Sequence, residues 1–403
     1  MGLSNGNDTI VSPANTGSVA EWLKAPVSKT GIGETLSEVQ ILPLPSSSRR
    51  SFMNLSFQFT AHEVWRAQLA DCANAKISID FENYIFTDTG IGREFIEIFK
   101  TKVRAGVRIR LLLDMFGSLD FYKNTGLRTE LERAGIELAF FNPIFDWRAK
   151  HFWHWLSRRD HRKLLLVDGR IAYLGSVCVD QPMENWLEAS VRFESDVAVS
   201  LQDSFESLFH SAGRPRLSRK VFDISLGDDI SYLSSAPHIG RRIVHKLLLK
   251  KIRRARNSVN LVTPYFVPTE RLRVALRRAI ARGVKVTLLI PERTDSSVVD
   301  YANHEYARSL ARQGAIVRVV GQMVHAKYCI IDSEWTMIGS ANLDNLSMLS
   351  NYEHVLVGKN TQVAQALNNN FQKLFNESSP IKQEVGLLER ILGLLTRPVH
   401  RFL

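Results

Sequence analysis

The chain alternates short apolar runs with amphipathic stretches, and it does so twice in the same order. Lys76-Ile77-Ser78-Ile79-Asp80-Phe81 reads as a strand, Gly92 to Ala105 has the apolar spacing of a helix, and Val107 to Leu113 reads as another strand. Further on, Ser258 to Val262 reads as a strand, about Glu270 to Ala281 as a helix, and Val284 to Ile290 as the next strand. Strands alternating with helices predict an α/β domain whose sheet is covered by helices on both faces.

The joins repeat as well. Arg104-Ala105-Gly106-Val107 resembles Ala281-Arg282-Gly283-Val284, and Leu131 to Ile136 resembles Leu310 to Ile316. Each glycine suits a helix C-cap before a strand. An ordered series of shared units indicates duplication, so the expected architecture is two homologous halves packed face to face. The boundaries read as a loose N-terminal segment over 1–50, a first half over 51–213, a connection over 214–241, a second half over 242–377 and an amphipathic tail over 378–403. The first of these is rich in Ser, Gly, Thr and Asn, a composition that buries little.

Each half ends in the same polar motif, His-x-Lys-x-x-x-x-Asp, as His161, Lys163 and Asp168 and again as His325, Lys327 and Asp332. Both run into apolar strands, where residues i and i+2 share a face, so His and Lys point the same way. The two aspartates fall in turns and are expected to shape them. Gly175-Ser176 and Gly339-Ser340 follow their histidines at equal distance and return small groups to the His/Lys pair. Such a constellation suits phosphoryl chemistry. A neutral imidazole can attack phosphorus, two lysines can hold the nonbridging oxygens, and a second imidazolium can protonate the departing alcohol, with no cofactor or metal required.

Bulk properties narrow the setting. Lys and Arg outnumber Asp and Glu by 52 to 41, a formal charge of +11 that favours anionic partners. Three widely spaced cysteines, Cys72, Cys178 and Cys329, support neither a disulfide framework nor a thiolate metal site. No apolar run is long enough to span a bilayer, and the N-terminus lacks signal-peptide and myristoylation patterns. The expectation is a protein peripheral to the cell membrane, on its cytoplasmic face.

The paired motifs resemble the phospholipase D superfamily over roughly residues 55–377. The second copy extends through Gly339-Ser340-Ala341-Asn342-Leu343-Asp344, Ser347, Asn351 and Glu353, which looks like the bacterial cardiolipin synthase branch. That resemblance implies a duplicated α/β/α fold, a phosphohistidine intermediate and transfer of a phosphatidyl group to an alcohol acceptor. It implies His161 as nucleophile and His325 as general acid and then base, although the reverse order fits the pattern too. Lys163 and Lys327 would bind phosphate, Ser176, Ser340 and Asn342 would add hydrogen bonds to it, and Asp196, aligned with Glu353, would orient a histidine as Glu353 does. Two positions depart from the family pattern: Cys178 stands where Asn is common, and Leu346 where a basic residue is frequent.

The stretch between Gly135 and His161 is longer than its counterpart between Gly314 and His325. It carries Phe145, Trp147, Arg148, Lys150, Phe152, Trp153, Trp155, Arg158 and Arg159. Aromatics mixed with cations suit a lipid interface, and the apolar spacing of Gly386 to Pro398 between basic flanks suits a second lipid contact. The partners expected are therefore a phospholipid substrate, an alcohol or phospholipid acceptor and an anionic membrane surface. Water as acceptor would make the protein a phospholipase D hydrolase. The same site could serve a metal-independent nuclease, since such aromatics also stack on single-stranded bases, but nucleic acid is the less favoured substrate. A catalytically weak lipid-binding scaffold would be expected to have lost a His or Lys of the pair, and none is lost.

Overall fold

The computed structural model describes residues 39–42, 53–142, 158–213, 218–238 and 240–382. The rest of the leading segment, the aromatic and basic residues from Phe145 to Trp155, and the amphipathic run from Gly386 lie outside the described residues.

Strand β1 (Val39–Leu42) precedes the first half. That half comprises β2 (Asn54–Thr60), α1 (Ala61–Asn74), β3 (Ser78–Asn83), α2 (Ile91–Arg104), β4 (Arg108–Asp114), α3 (Leu119–Lys123), α4 (Thr125–Arg133), β5 (Glu137–Phe141), β6 (Leu164–Val167), β7 (Ile171–Gly175), β8 (Leu187–Glu194) and α5 (Gln202–Phe209). Next come β9 (Val221–Gly227) and β10 (Ile230–Ser235), then α6 (Ile243–Arg254), β11 (Ser258–Val262), α7 (Glu270–Ala281), β12 (Lys285–Pro291), α8 (Ser297–Arg312) and β13 (Ile316–Val320). The chain continues through β14 (Tyr328–Ile331), β15 (Trp335–Gly339), α9 (Asn345–Leu349), β16 (Glu353–Gly358), α10 (Thr361–Glu377) and β17 (Ser379–Pro380).

One sheet has the order β2-β8-β7-β6-β3-β4-β5, and the other contains the matching run β10-β16-β15-β14-β11-β12-β13, extended by β9 and β1 at one edge and β17 at the other. The duplication therefore extends to strand order and direction. Residues 214–241, read from sequence as a connection, contain β9 and β10, and β10 stands to β16 as β2 stands to β8, antiparallel in both sheets.

Local chemistry explains the element ends that bear on the site. Helix α1 opens with a capping box, in which Thr60 Oγ1 accepts from Glu63 N at 3.2 Å and Glu63 accepts from Thr60 N at 3.2 Å. Asp168 and Asp332 occupy turns at positive φ, 54° and 52°. The Asp168 carboxylate accepts from the backbone N–H groups of Lys76, Ile77 and Ser78 at the start of β3, and Asp332 accepts in the same way from Arg256, Asn257 and Ser258 at the start of β11. Each aspartate thus ties the turn after a catalytic-motif strand to the beginning of the neighbouring strand.

Period-two alternation on β6 splits its side chains between two cores. Leu165 and Val167 join Phe81, Phe95 and Phe99 beneath α1 and α2, whereas Leu164 and Leu166 join a continuous core that includes Tyr328, Leu356 and Phe371 of the second half. The two halves therefore share an apolar interior, which holds the catalytic ends of their sheets in one arrangement.

Candidate active site

His161 and Lys163 lie in the extended chain leading into β6, and His325 and Lys327 in the equivalent stretch before β14. All four are buried. Their backbones are pinned by the opposite half through a repeated pattern. Tyr352 N donates to Arg159 O at 2.9 Å and Tyr352 O accepts from His161 N at 3.0 Å; Leu187 N donates to Met323 O at 2.9 Å and Leu187 O accepts from His325 N at 2.7 Å. The residue after each of these bridges is a glutamate.

That arrangement crosses the side chains between halves. His161 Nδ1 lies 3.0 Å from Glu353, and His325 Nδ1 lies 2.8 Å from Glu188. Each histidine is oriented by a carboxylate carried on the other half. Behind them, Ser340 Oγ donates to Glu353 and Ser176 Oγ donates to Glu188. The same hydroxyls accept from His354 N at 3.0 Å and Ala189 N at 3.1 Å. With its single proton committed to a carboxylate, neither serine has a donor left for a phosphate oxygen. Both therefore support the glutamates instead of binding phosphate as the sequence suggested.

The glycine before each serine has a steric basis. A Cβ on Gly175 would sit 2.5 Å from Ala189 O, and one on Gly339 would sit 2.3 Å from His354 O. Only glycine lets the strand come close enough for the following serine to reach the glutamate on its neighbour.

Asp196 is displaced from the role expected of it. Its side chain is 80% exposed, and its ion-pair distance to Arg170 is 4.0 Å, so Glu188 occupies the position in which Asp196 was expected. The matching acid lies at the start of β8, as Glu353 does in β16, whereas Asp196 lies beyond the end of β8. The spacing from Ser176 to Glu188, nearly that from Ser340 to Glu353, was the available signal.

Both lysines fold onto their own motifs, with Lys163 Nζ donating to His161 O and Lys327 Nζ to His325 O, each at 2.7 Å. Each ammonium keeps two further N–H groups for a ligand. The Lys163 ammonium lies 5.3 Å from the Tyr84 ring centroid, while Tyr84 meets His161 edge-on at 5.1 Å and Trp186 lies tilted against His325 at 5.2 Å. Asn342 is buried with its Oδ1 unpartnered. Cys178 is buried, its thiol raised by burial and within electrostatic reach of Lys163, Glu188 and Lys327, while its carbonyl accepts from Trp65 Nε1 at 2.8 Å. Nothing in the structure explains the departure at Leu346.

The first motif has an ionic foundation that sequence reasoning missed. Arg159 Nη2 donates to Asp114 at 2.6 Å, Asp160 N donates to the same carboxylate at 2.9 Å, and Arg162 Nε donates to Glu82 at 2.7 Å, all of them buried. These partners hold both sides of His161 on the ends of β3 and β4. Removing one member of such a pair strands a buried charge, at a cost of about 3–5 kcal/mol.

The two dyads differ electrostatically. Burial, reinforced by Lys163, Lys327 and His325, drives the His161 imidazole well below its ordinary value. Burial also lowers His325, but Glu188 opposes it. Burial pushes Glu353 up to about 8 against the opposing effect of Lys163. For Glu188 burial is outweighed by His325 and Lys327, so this carboxyl lies below its ordinary value. An ionised Glu188 stabilises a proton on His325, whereas His161 is left neutral. Lys327 is lowered to about 7 by burial, with Glu188 opposing and Lys163 adding to the shift. Among the described residues no group of three His, Cys, Asp or Glu side chains is placed to hold a metal.

Comparison with known proteins agrees with this geometry. The family model described as "Cardiolipin synthase, PLD-like domain" matches residues 69–209 and 248–375, one segment in each half. Cardiolipin synthase A of Pectobacterium atrosepticum is 29% identical over 320 residues, covering 75% of this chain and 65% of that protein. The enzyme of the same name from Yersinia pseudotuberculosis is 28% identical over 314 residues, covering 74% and 64%. The chain thus spans slightly under two thirds of the length of these relatives. The crystal structure of phosphatidylserine synthase from Haemophilus influenzae superposes with a TM-score of 0.68 at 14% identity, over 86% of this chain and 93% of that one. Polyphosphate kinase from Porphyromonas gingivalis gives 0.55 at 12% identity, over 87% and 53%. Both share the fold.

Proposed function

The chain belongs to the family of cardiolipin synthase PLD-like domains, and from that premise we propose that it is a phosphatidyltransferase acting through a phosphohistidine. The observation that carries this reading is the crossed pairing of His161 with Glu353 and His325 with Glu188. Glu353 engages Nδ1 of His161, which leaves Nε2 to attack the phosphorus of a phospholipid. The new P–N bond forms as the P–O bond to the headgroup alcohol breaks, and His325 donates its proton to the leaving oxygen. Lys163 and Lys327 hold the nonbridging oxygens through the transition state. A second alcohol then enters and His325, now the base, takes its proton. The alkoxide attacks phosphorus, and the P–N bond to His161 breaks.

The electrostatic difference between the dyads supports this order: a neutral imidazole is the nucleophile, and the imidazole beside an ionised carboxylate is the acid. Among the described residues no helix is long and apolar enough to cross a membrane. With a net charge of +11, the reading includes a peripheral position on an anionic membrane surface, at the cytoplasmic face, where the three unpaired cysteines remain reduced.

The test is incubation of the purified chain with phosphatidylglycerol and phosphatidylethanolamine vesicles, with and without glycerol and with chelator present, followed by lipid mass spectrometry. Wild type should form cardiolipin or exchange headgroups, and His161→Ala and His325→Ala should each do neither. Release of phosphatidic acid alone would make the protein a hydrolase. Unchanged lipids together with cleavage of DNA or RNA would overturn the lipid reading.

A further inference from the structure

Arginines that no carboxylate pairs with among the described residues, Arg158, Arg219, Arg242 and Arg271, adjoin the catalytic centre at the corner between β10 and α6. Strand β10 ends at Ser235, the register partner of Glu353, so the turn that follows leaves the sheet beside the dyad. That turn is held by Arg241 O, which accepts from Ala236 N and from Ser235 Oγ at 3.2 Å, and by Arg241 N, which donates to His238 O at 2.9 Å. It delivers the chain to α6, whose N-cap residue is Arg242 and whose N-terminus has no capping side chain. His245 in the first turn of α6 lies 2.9 Å from Thr269 Oγ1, the N-cap of α7, which brings the first turn of α7, with Arg271, to the same corner. From the other side, Tyr352 N donates to Arg159 O and Tyr352 Oη donates to Ser218 O at 2.5 Å, so the neighbouring Arg158 and Arg219 flank the same tyrosine.

The cations feel one another. His238 is pushed down to about 4, first by burial and then by Arg158, Arg219, Arg241 and Arg242. Arg242 is lowered by burial and then by Arg271 and Arg158. Among the described residues no carboxylate pairs with Arg158, Arg219, Arg242 or Arg271, and Glu270, the acid in the first turn of α7, is engaged by Arg273 at 2.9 Å. Two polar nitrogens in the cluster, His238 Nε2 and Arg242 Nε, are buried without a hydrogen-bond partner. Four guanidinium groups brought together from separate segments, with no counter-charge among the described residues, repel one another, and a shared anion would relieve that repulsion.

We propose that Arg158, Arg219, Arg242 and Arg271 form a second phosphate site, separate from Lys163 and Lys327, which takes the phosphate of a second glycerophospholipid. Guanidinium forks match phosphate oxygens bidentately, as an ammonium does not. A lipid held there has its headgroup alcohol tethered beside His325 and Glu353, which raises that alcohol's effective concentration over a free one. Assigning the bound lipid as acceptor rests on the phosphatidyl transfer proposed above; the site itself does not.

The 403-residue chain carrying Arg219→Gln and Arg271→Gln, both exposed positions, is compared with a control carrying Arg133→Gln and Lys285→Gln. The control removes equal charge at the opposite ends of the strands, since Arg133 closes α4 before β5 and Lys285 opens β12. Sedimentation with phosphatidylglycerol vesicles at fixed ionic strength should show partition falling about tenfold in the first pair and less than about twofold in the control. Arg242→Gln should fall in the same direction. KM for phosphatidylglycerol as acceptor should rise with kcat and KM for glycerol unchanged. Equal losses in both pairs, or no loss in the first, would overturn the site. Thermal stabilisation of wild type by inorganic phosphate, absent in Arg219→Gln/Arg271→Gln and unmatched by any vesicle effect, would overturn the lipid assignment. If no transfer occurs with any acceptor while the vesicle difference persists, the enzymatic reading fails and the site stands.

Discussion

Glu353 and His161 are separated by 192 residues and meet at 3.0 Å, each on a different half of the duplicated chain. His325 and Glu188 repeat the relationship at 2.8 Å across 137 residues. Neither half holds a complete dyad, so the two must pack together before either histidine is oriented.

Separate substitution of the two glutamates should therefore each disable the site. Glu188→Gln and Glu353→Gln are expected to lower kcat by about 10²- to 10⁴-fold while far-ultraviolet circular dichroism stays unchanged. A histidine and its glutamate act as a unit, so Glu353→Ala added to His161→Ala should cost almost nothing further. Additive losses in single-turnover assays would contradict the dyad.

Asp196→Ala should be nearly silent. The side chain is exposed and its contact with Arg170 is long, so kcat should stay within about twofold and stability within about 0.5 kcal/mol. A large loss of turnover would return Asp196 to the site.

The pH dependence is set partly by Lys327, lowered to about 7, chiefly by burial. In the free protein its charge, and with it one phosphate contact, is lost as pH rises through that value. kcat/KM should thus decline above about pH 7, whereas kcat should hold to higher pH, because bound phosphate stabilises the ammonium. Lys327→Arg keeps its charge throughout and should shift the alkaline limb of kcat/KM upward. An unmoved limb would assign that titration to another group.

Asp168 and Asp332 should matter for stability instead of chemistry. Each carboxylate accepts from three consecutive backbone N–H groups, so Asp168→Ala or Asp332→Ala should cost about 1–3 kcal/mol in urea unfolding while the folded fraction keeps its kcat. For Asp332, burial is outweighed by these N–H groups and the pKa is depressed. Its stabilisation is present above the ordinary carboxyl value and is lost as pH falls through the depressed one. Asp332→Asn should flatten that part of the acid limb.

The duplication, the α/β class and both His-x-Lys pairs were legible in the sequence, because strand and helix periodicities are local and the polar motif interrupts apolar strands in the same register twice. The glutamates were only half legible. Glu353 lay within a recognisable extension of the second motif, but Glu188 follows Trp186-Leu187 without such an extension, and Asp196 offered an equally plausible acid nearby. What separates them is which residue abuts the bridge between Leu187 and Val324, a contact between halves that no local pattern encodes. The roles of Ser176 and Ser340 are illegible in the sequence for the same reason: a hydroxyl beside a phosphate site and one behind a glutamate occupy the same sequence position, and only the fold shows where the hydroxyl donates.

By itself the sequence determined that there are two similar units and which two basic side chains, a histidine and a lysine, each motif presents, since those depend on spacing along one segment. The pairing of each histidine with the other half's glutamate, the lowered basicity of His161, and the approach of Arg158 and Arg219 to Tyr352 were decided by tertiary structure alone. Each depends on distance and burial between residues far apart in the chain, and these become defined only once the shared core has closed.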